Sequence, residues 1–154
     1  MKKVERIAIV GCGWLGAPLA EFHLAKGLLV YGTTRTPSKA TLLAQKGVHM
    51  HLLNDFTDDL TWLASVDVLV LNIPPSSFGA EYPRFMAHIV RFISEETNVI
   101  FISSTSVYDN QNGVVHEDAT EVGNSVRGKT VYAAEQELNR LLGARLTIIR
   151  MAGL

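Results

Sequence analysis

Short apolar runs recur along this chain, and between them hydrophobic residues return every three or four positions. The runs "RIAIVG" (6–11), "LLVYGTT" (28–34), "VHMHLL" (48–53), "DVLVLNIPP" (67–75), "NVIFISSTSVY" (98–108) and "RLTIIRM" (145–151) read as strands. The intervening segments 17–27, 38–47, 82–96 and 131–143 have helical spacing, and the first two close on Gly27 and Gly47, residues suited to helix ends. Strands that are mostly apolar throughout, separated by helices, specify a parallel sheet covered on both faces. The expected fold class is therefore α/β, a doubly wound parallel sheet, in one domain over residues 1–154. The polar stretch 109–130 is predicted as the longest loop.

One junction in this pattern carries chemistry. "IVGCGWLGAPLA" sets Gly11, Gly13 and Gly16 as G-x-G-x-x-G between the first strand and the first helix. The first glycine permits a tight turn, the second lets backbone approach a pyrophosphate, and the third lets helix and strand pack closely. The helix start adds unpaired N–H groups and partial positive charge. A Rossmann-like three-layer α/β/α domain binding a dinucleotide follows, with Trp14 and Leu15 beside the phosphates. Cys12 has no basic neighbour in sequence to activate it.

Cofactor choice is read about twenty residues on, where NAD-binding chains carry a carboxylate for the ribose 2′-hydroxyl. Here "VYGTTRTP" offers Gly32, Thr33, Thr34 and then Arg35. An arginine can pair a 2′-phosphate bidentately, so NADP is expected, with NAD the alternative. Asp55 after the third strand either accepts from an adenine amino group or caps a turn. Asn72 and Pro74 follow the fourth strand, at the sheet edge where open α/β sheets bind ligands. His49 and His51 share a strand face without a clear third ligand, so no metal is expected. His116, Glu117 and Asp118 read as solvated loop residues.

Composition narrows the partners. The 154 residues are 47% hydrophobic with a formal net charge of -1, which lacks the basic excess of a nucleic-acid or membrane-surface protein. No apolar run has the length of a membrane span. A single cysteine, Cys12, makes no internal disulfide and fits a reducing compartment. The N-terminal apolar run lacks a full signal-peptide core, so a cytoplasmic domain is expected.

The segment "NVIFISSTSVYDNQNGVVHEDATEVGNSVRGKTVYAAEQELN" resembles the extended short-chain dehydrogenase/reductase superfamily, the NAD(P)-dependent epimerase/dehydratase group. That group ends its fifth strand in a hydroxyl-rich segment, follows it with a loop bearing an acid, here Glu117, and opens the next helix with Y-x-x-x-K. "GCGWLG" and "RGKTVYAAEQEL" look closest to its atypical branch. The resemblance implies Ser104 as the hydroxyl on the substrate oxygen and Tyr132 as general acid/base. Its lysine would fall at Gln136, which can bond a ribose hydroxyl but carries no charge to favour a phenolate. Lys129 and Arg127 precede the helix as candidate substitutes for that cation. Thr105 and Ser106 stand where dehydratases carry acids, which argues against dehydration. The resemblance also implies a substrate-binding part beyond the cofactor half, a nucleotide-sugar or small carbonyl substrate, and a homo-oligomer among the partners. Three readings follow: an NADP-binding domain of an epimerase- or reductase-like enzyme with weakened or absent catalysis, a non-catalytic NADP(H)-sensing module, or a scaffold without cofactor.

Overall fold

The computed structural model describes residues 3–108, 113–119 and 123–152; the remainder of the predicted 109–130 loop and the two residues at each end lie outside them. Six strands, β1 (Arg6–Val10), β2 (Leu29–Thr34), β3 (His49–Leu52), β4 (Val68–Leu71), β5 (Asn98–Ser104) and β6 (Leu146–Met151), form one sheet in the order β3-β2-β1-β4-β5-β6. Every pairing is parallel. The helices are α1 (Gly16–Ala25), α2 (Pro37–Gln45), α3 (Tyr82–Val90) and α4 (Val126–Leu142). The chain winds outward from β1 to β3, then crosses back to β4. The carboxyl ends of β1 and β4 therefore flank the point where the winding reverses, the place where open α/β sheets hold ligands.

Strand alternation divides the core into two layers. Ala8, Val10, Leu69, Leu71, Val99 and Phe101 face α3 and α4. Ile7, Ile9 and Val70, with Val68 and Ile100 at the margin, face α1 and α2. Central strands are thus apolar on both sides, which is why they read as continuous runs.

Element boundaries differ from expectation where single residues or tertiary bonds decide them. β4 stops at Leu71 because the chain next turns through Pro74 and Pro75, which have no N–H for a ladder. Helix α3 ends at Val90 rather than 96, and Arg145 Nη1 holds the following turn by donating to the carbonyls of Ser94 (3.0 Å) and Thr97 (3.2 Å). Helix α4 starts at Val126, five residues ahead of 131, because Ser125 caps it by accepting from the N–H of Gly128 at 2.9 Å. Gly128 has to be glycine: a Cβ there would drive into the carbonyl oxygen of Ser106.

One buried charge fixes the rotation of α4. Glu135, 3% exposed, accepts from Arg150 Nε at 2.9 Å and Nη2 at 2.6 Å, and from Ser103 Oγ at 2.5 Å. Ser103 and Arg150 are register partners on β5 and β6, so one carboxylate ties the helix to both strands. Arg150 also donates to the Tyr108 hydroxyl and, at 3.0 Å, to the Glu117 carbonyl. These bonds to the carboxylate raise the guanidinium pKa above its ordinary value. Removing one partner of such a pair strands the other, so Glu135→Ala should lower stability by about 3 kcal/mol. Urea unfolding checks this, and a loss below about 1 kcal/mol, the range of exposed pairs, would show that the network contributes little.

Candidate functional site

The loop after β1 is pinned from both neighbouring strands. Asn72 Nδ2, at the end of β4, donates to the Gly11 carbonyl at 3.0 Å. From the β2 side, Thr33 accepts the N–H of Gly11 on its hydroxyl (3.0 Å) and the N–H of Cys12 on its carbonyl (2.7 Å). Gly11 has φ +105°, and a Cβ on it would lie 2.5 Å from the Asn72 carbonyl oxygen. A Cβ on Gly16 would run into the Gly11 carbonyl, so this glycine lets α1 close on the strand end. At Gly13 the situation reverses: a Cβ meets nothing within 4 Å. Two of the glycines are required by the protein itself, and the third faces open space where a ligand can approach the backbone.

That space is two depressions meeting at Gly13, Asn72, Ile73 and Pro74. On the β2 side, about 230 Å³ is bounded by Thr34, Arg35, Thr36 and Lys39, with no carboxylate among its lining residues. On the β4–β5 side, about 330 Å³ is bounded by Trp14, Leu15, Pro75, Tyr82, Ser104 and Val131, with Arg127 at its margin. Two connected hollows across the switch point, a bare backbone between them and cations at one end fit a dinucleotide with its pyrophosphate over Gly13.

Most of the expected cofactor residues come together. Gly11, Thr34 and Arg35 line the first depression, Trp14 and Leu15 the second, and Gly13, Asn72 and Pro74 both. Gly16 supports from behind, buried. Ser104 reaches the second depression, where its Oγ accepts from the Ser106 N–H at 3.1 Å and keeps its own proton to donate. Thr33 is buried and its hydroxyl accepts from the loop N–H of Gly11, so it serves to hold the loop. Asp55 takes the other of its two expected roles, accepting from the N–H (2.8 Å) and hydroxyl (2.6 Å) of Thr57 in a turn. Cys12 is 1% exposed, and burial holds its thiol up at about 11, which keeps it protonated. His51 stacks on Trp62 at 4.3 Å and His49 lies against Tyr31, a strand-face aromatic group. Among the described residues no cluster suits a metal ion.

Tyr132 and Gln136 do not reach this cleft. They line a separate depression with Glu117, Asp118, Asn139 and Arg150 on the β6 side of α4. The reason is helical rotation: one residue is about 100° of arc, and Glu135, locked to β5 and β6, sets the phase. The residues of α4 that line the cleft are Arg127 and Val131, one turn apart. A Y-x-x-x-K pair would need to occupy those two positions, and neither is tyrosine or lysine. The signal for this register was present in the sequence as Ser125, an N-cap that begins the helix five residues earlier.

Two other lining residues carried no sequence flag. Lys39 follows Arg35 by four positions, in the first turn of α2. Tyr82, 1% exposed, donates its hydroxyl to the Ile73 carbonyl at 2.8 Å. Burial pushes its phenol well above the ordinary range, opposed only in part by the charge of Arg127. Arg127, a candidate cation in the sequence, lines the cleft from the first turn of α4.

Fold and site together define a dinucleotide-binding domain of the Rossmann type. The family profile for the NAD binding domain of 6-phosphogluconate dehydrogenase matches residues 6–150, and the chain belongs to that family. It is 30% identical over 98% of its length to the protein YeeZ of Escherichia coli strain K12, and it spans 59% of that relative. Solved structures share the fold: UDP-glucuronic acid 4-epimerase of Bacillus cereus in complex with NAD has a TM-score of 0.72 at 20% identity, covering 96% of this chain and 56% of the other. A putative epimerase of Burkholderia cenocepacia has 0.75 at 22%, covering 97% and 54%.

The open space at Gly13 gives a direct test. Its φ lies outside the left-handed region and a side chain there meets no protein atom, so Gly13→Val should fold normally while losing cofactor binding. Calorimetric titration beside circular dichroism checks this. Full cofactor affinity in a natively folded variant would mean that the loop is purely structural.

Proposed function

We infer that this NAD-binding domain prefers NADP and that it serves an epimerase- or reductase-like protein of the short-chain dehydrogenase/reductase type. The observation that carries the cofactor choice is the β2-side depression, where Arg35 and Lys39 stand together and no carboxylate lines the wall. A ribose 2′-hydroxyl needs an acceptor that is missing there, whereas a 2′-phosphate finds two cations and the hydroxyl of Thr34 or Thr36. The bound cofactor would supply hydride transfer through its nicotinamide ring.

The chain's own residues would divide the rest of the work. Gly13 and the start of α1 receive the pyrophosphate, and Asn72 with Thr33 holds that loop in shape. Pro74, Pro75, Ile102 and Val131 exclude water around the reactive end. Ser104 offers a hydroxyl proton to a substrate oxygen. Among the described residues of the cleft the family's tyrosine–lysine relay has no counterpart: Tyr82 is committed to a backbone carbonyl, and Val131 is apolar. Catalysis by a phenolate is therefore weakened or absent. That same observation favours the second reading, a module that binds NADP(H) and signals its redox state without turnover. For the enzymatic reading, the nucleotide-sugar epimerase among the similar folds supports a nucleotide sugar as the substrate class, with a small carbonyl compound the alternative.

NADPH should bind more tightly than NADH, and Arg35→Ala should remove about 1.5–3 kcal/mol from NADPH binding while leaving NADH nearly unchanged. Titration of both cofactors into both proteins decides it; equal affinities would refute the NADP assignment.

Tyr132→Phe and Gln136→Ala should each leave NADPH affinity within about twofold of wild type, because neither side chain lines the cleft. A tenfold loss in either, measured the same way, would return these residues to the nicotinamide.

A further inference from the structure

Cofactor binding leaves Arg127 without a task. Among the described residues lining the β4–β5 side of the cleft it alone is charged, and its neighbours there are apolar side chains, serine hydroxyls, the Tyr82 ring and the Asn72 amide. No hydrogen bond or ion pair among the described residues engages its guanidinium. It nevertheless lies close enough to be felt by the buried Tyr82 phenol. The cofactor's extra phosphate has its own cations, Arg35 and Lys39, in the other depression.

An arginine beside an apolar hollow with no carboxylate among its described lining residues is suited to receive an anion: its donors are fixed in a planar fork that matches a carboxylate or phosphate. The hollow, about 330 Å³, is lined also by Tyr82, Ser104 and Arg127, and a ring-sized body beside the nicotinamide would sit against these. We propose that Arg127 is the substrate-anchoring residue of this site, and that its substrate carries an oxyanion group, a carboxylate or a phosphate, on a largely apolar body. Ser104 then stands in the same hollow as the hydrogen-bond donor to a second substrate oxygen. The proposal rests on the dinucleotide reading of the cleft, so its test separates the two.

The domain is first titrated with NADP⁺ alone, then, once saturated, with benzoate, phenyl phosphate and benzamide, three ligands that share a ring and differ in head group. Benzoate or phenyl phosphate should bind about tenfold or more tightly than neutral benzamide, and whichever anion wins identifies the head group. Arg127→Gln should erase that difference, and Arg127→Lys should restore part of it, while NADP⁺ affinity stays within about twofold in both. Equal binding of benzamide, or no saturable binding of either anion, overturns the proposal. So does an Arg127→Gln variant that loses NADP⁺ affinity, since the arginine would then hold the cofactor. Absence of NADP⁺ binding in the wild type would instead refute the reading on which the proposal stands.

Discussion

Everything in this site depends on one short bond, from the side-chain amide of Asn72 to the carbonyl of Gly11. It joins the tips of β4 and β1 where the sheet's winding reverses, and Thr33 closes the same loop from β2. Three strand ends thereby hold Gly11 and Cys12 in one conformation. The neighbouring strands bond the Gly11 N–H and carbonyl and the Cys12 N–H, and the backbone beyond them, at Gly13 and the start of α1, is where a phosphate would be received. A binding surface made of backbone is possible only because the neighbouring side chains have already fixed it.

The two halves of the cleft are chemically different for reasons that lie on different elements. On the β2 side, the strand end and the first turn of α2 bring Arg35 and Lys39 together and supply positive charge. On the β4–β5 side, prolines, aliphatic side chains and two serines make a drier hollow with a single cation. A ligand with phosphates at one end and a planar, weakly charged ring at the other matches that gradient. The hollow is lined also by Arg127 and Tyr82, against which the proposed substrate would sit.

The buried carboxylate of Glu135 has a consequence far larger than its size. By binding Ser103 and Arg150 together it fixes the rotation of α4 against the sheet, and that rotation decides which residues of "RGKTVYAAEQ" meet the ligand. Turning the helix by one residue would bring Tyr132 into the place of Val131. The ion pair forbids it, since Glu135 would leave both partners unsatisfied in the interior. A structural contact thus sets the chemical character of the site.

The sequence by itself determined the sheet, its two-faced core and the dinucleotide loop. Apolar runs, helical spacing and glycines at fixed intervals are local signals, and each acts through backbone geometry within a few residues. Gly11 and Gly16 were legible because only glycine fits beside another backbone, and Arg35 because the strand that positions it is legible too. Only the tertiary structure decided the rest. Lys39 and Tyr82 become cleft residues through the packing of α2 and α3, which no local pattern encodes. Asp55 turned to its own neighbour Thr57, a choice between two equal local options. The register of α4 was settled by a residue fifteen positions away on β6, so the motif that looked most like an active site in sequence points away from the cleft in space. Spacing along a helix fixes which side chains share a face; where that face looks is fixed by what the helix must bury.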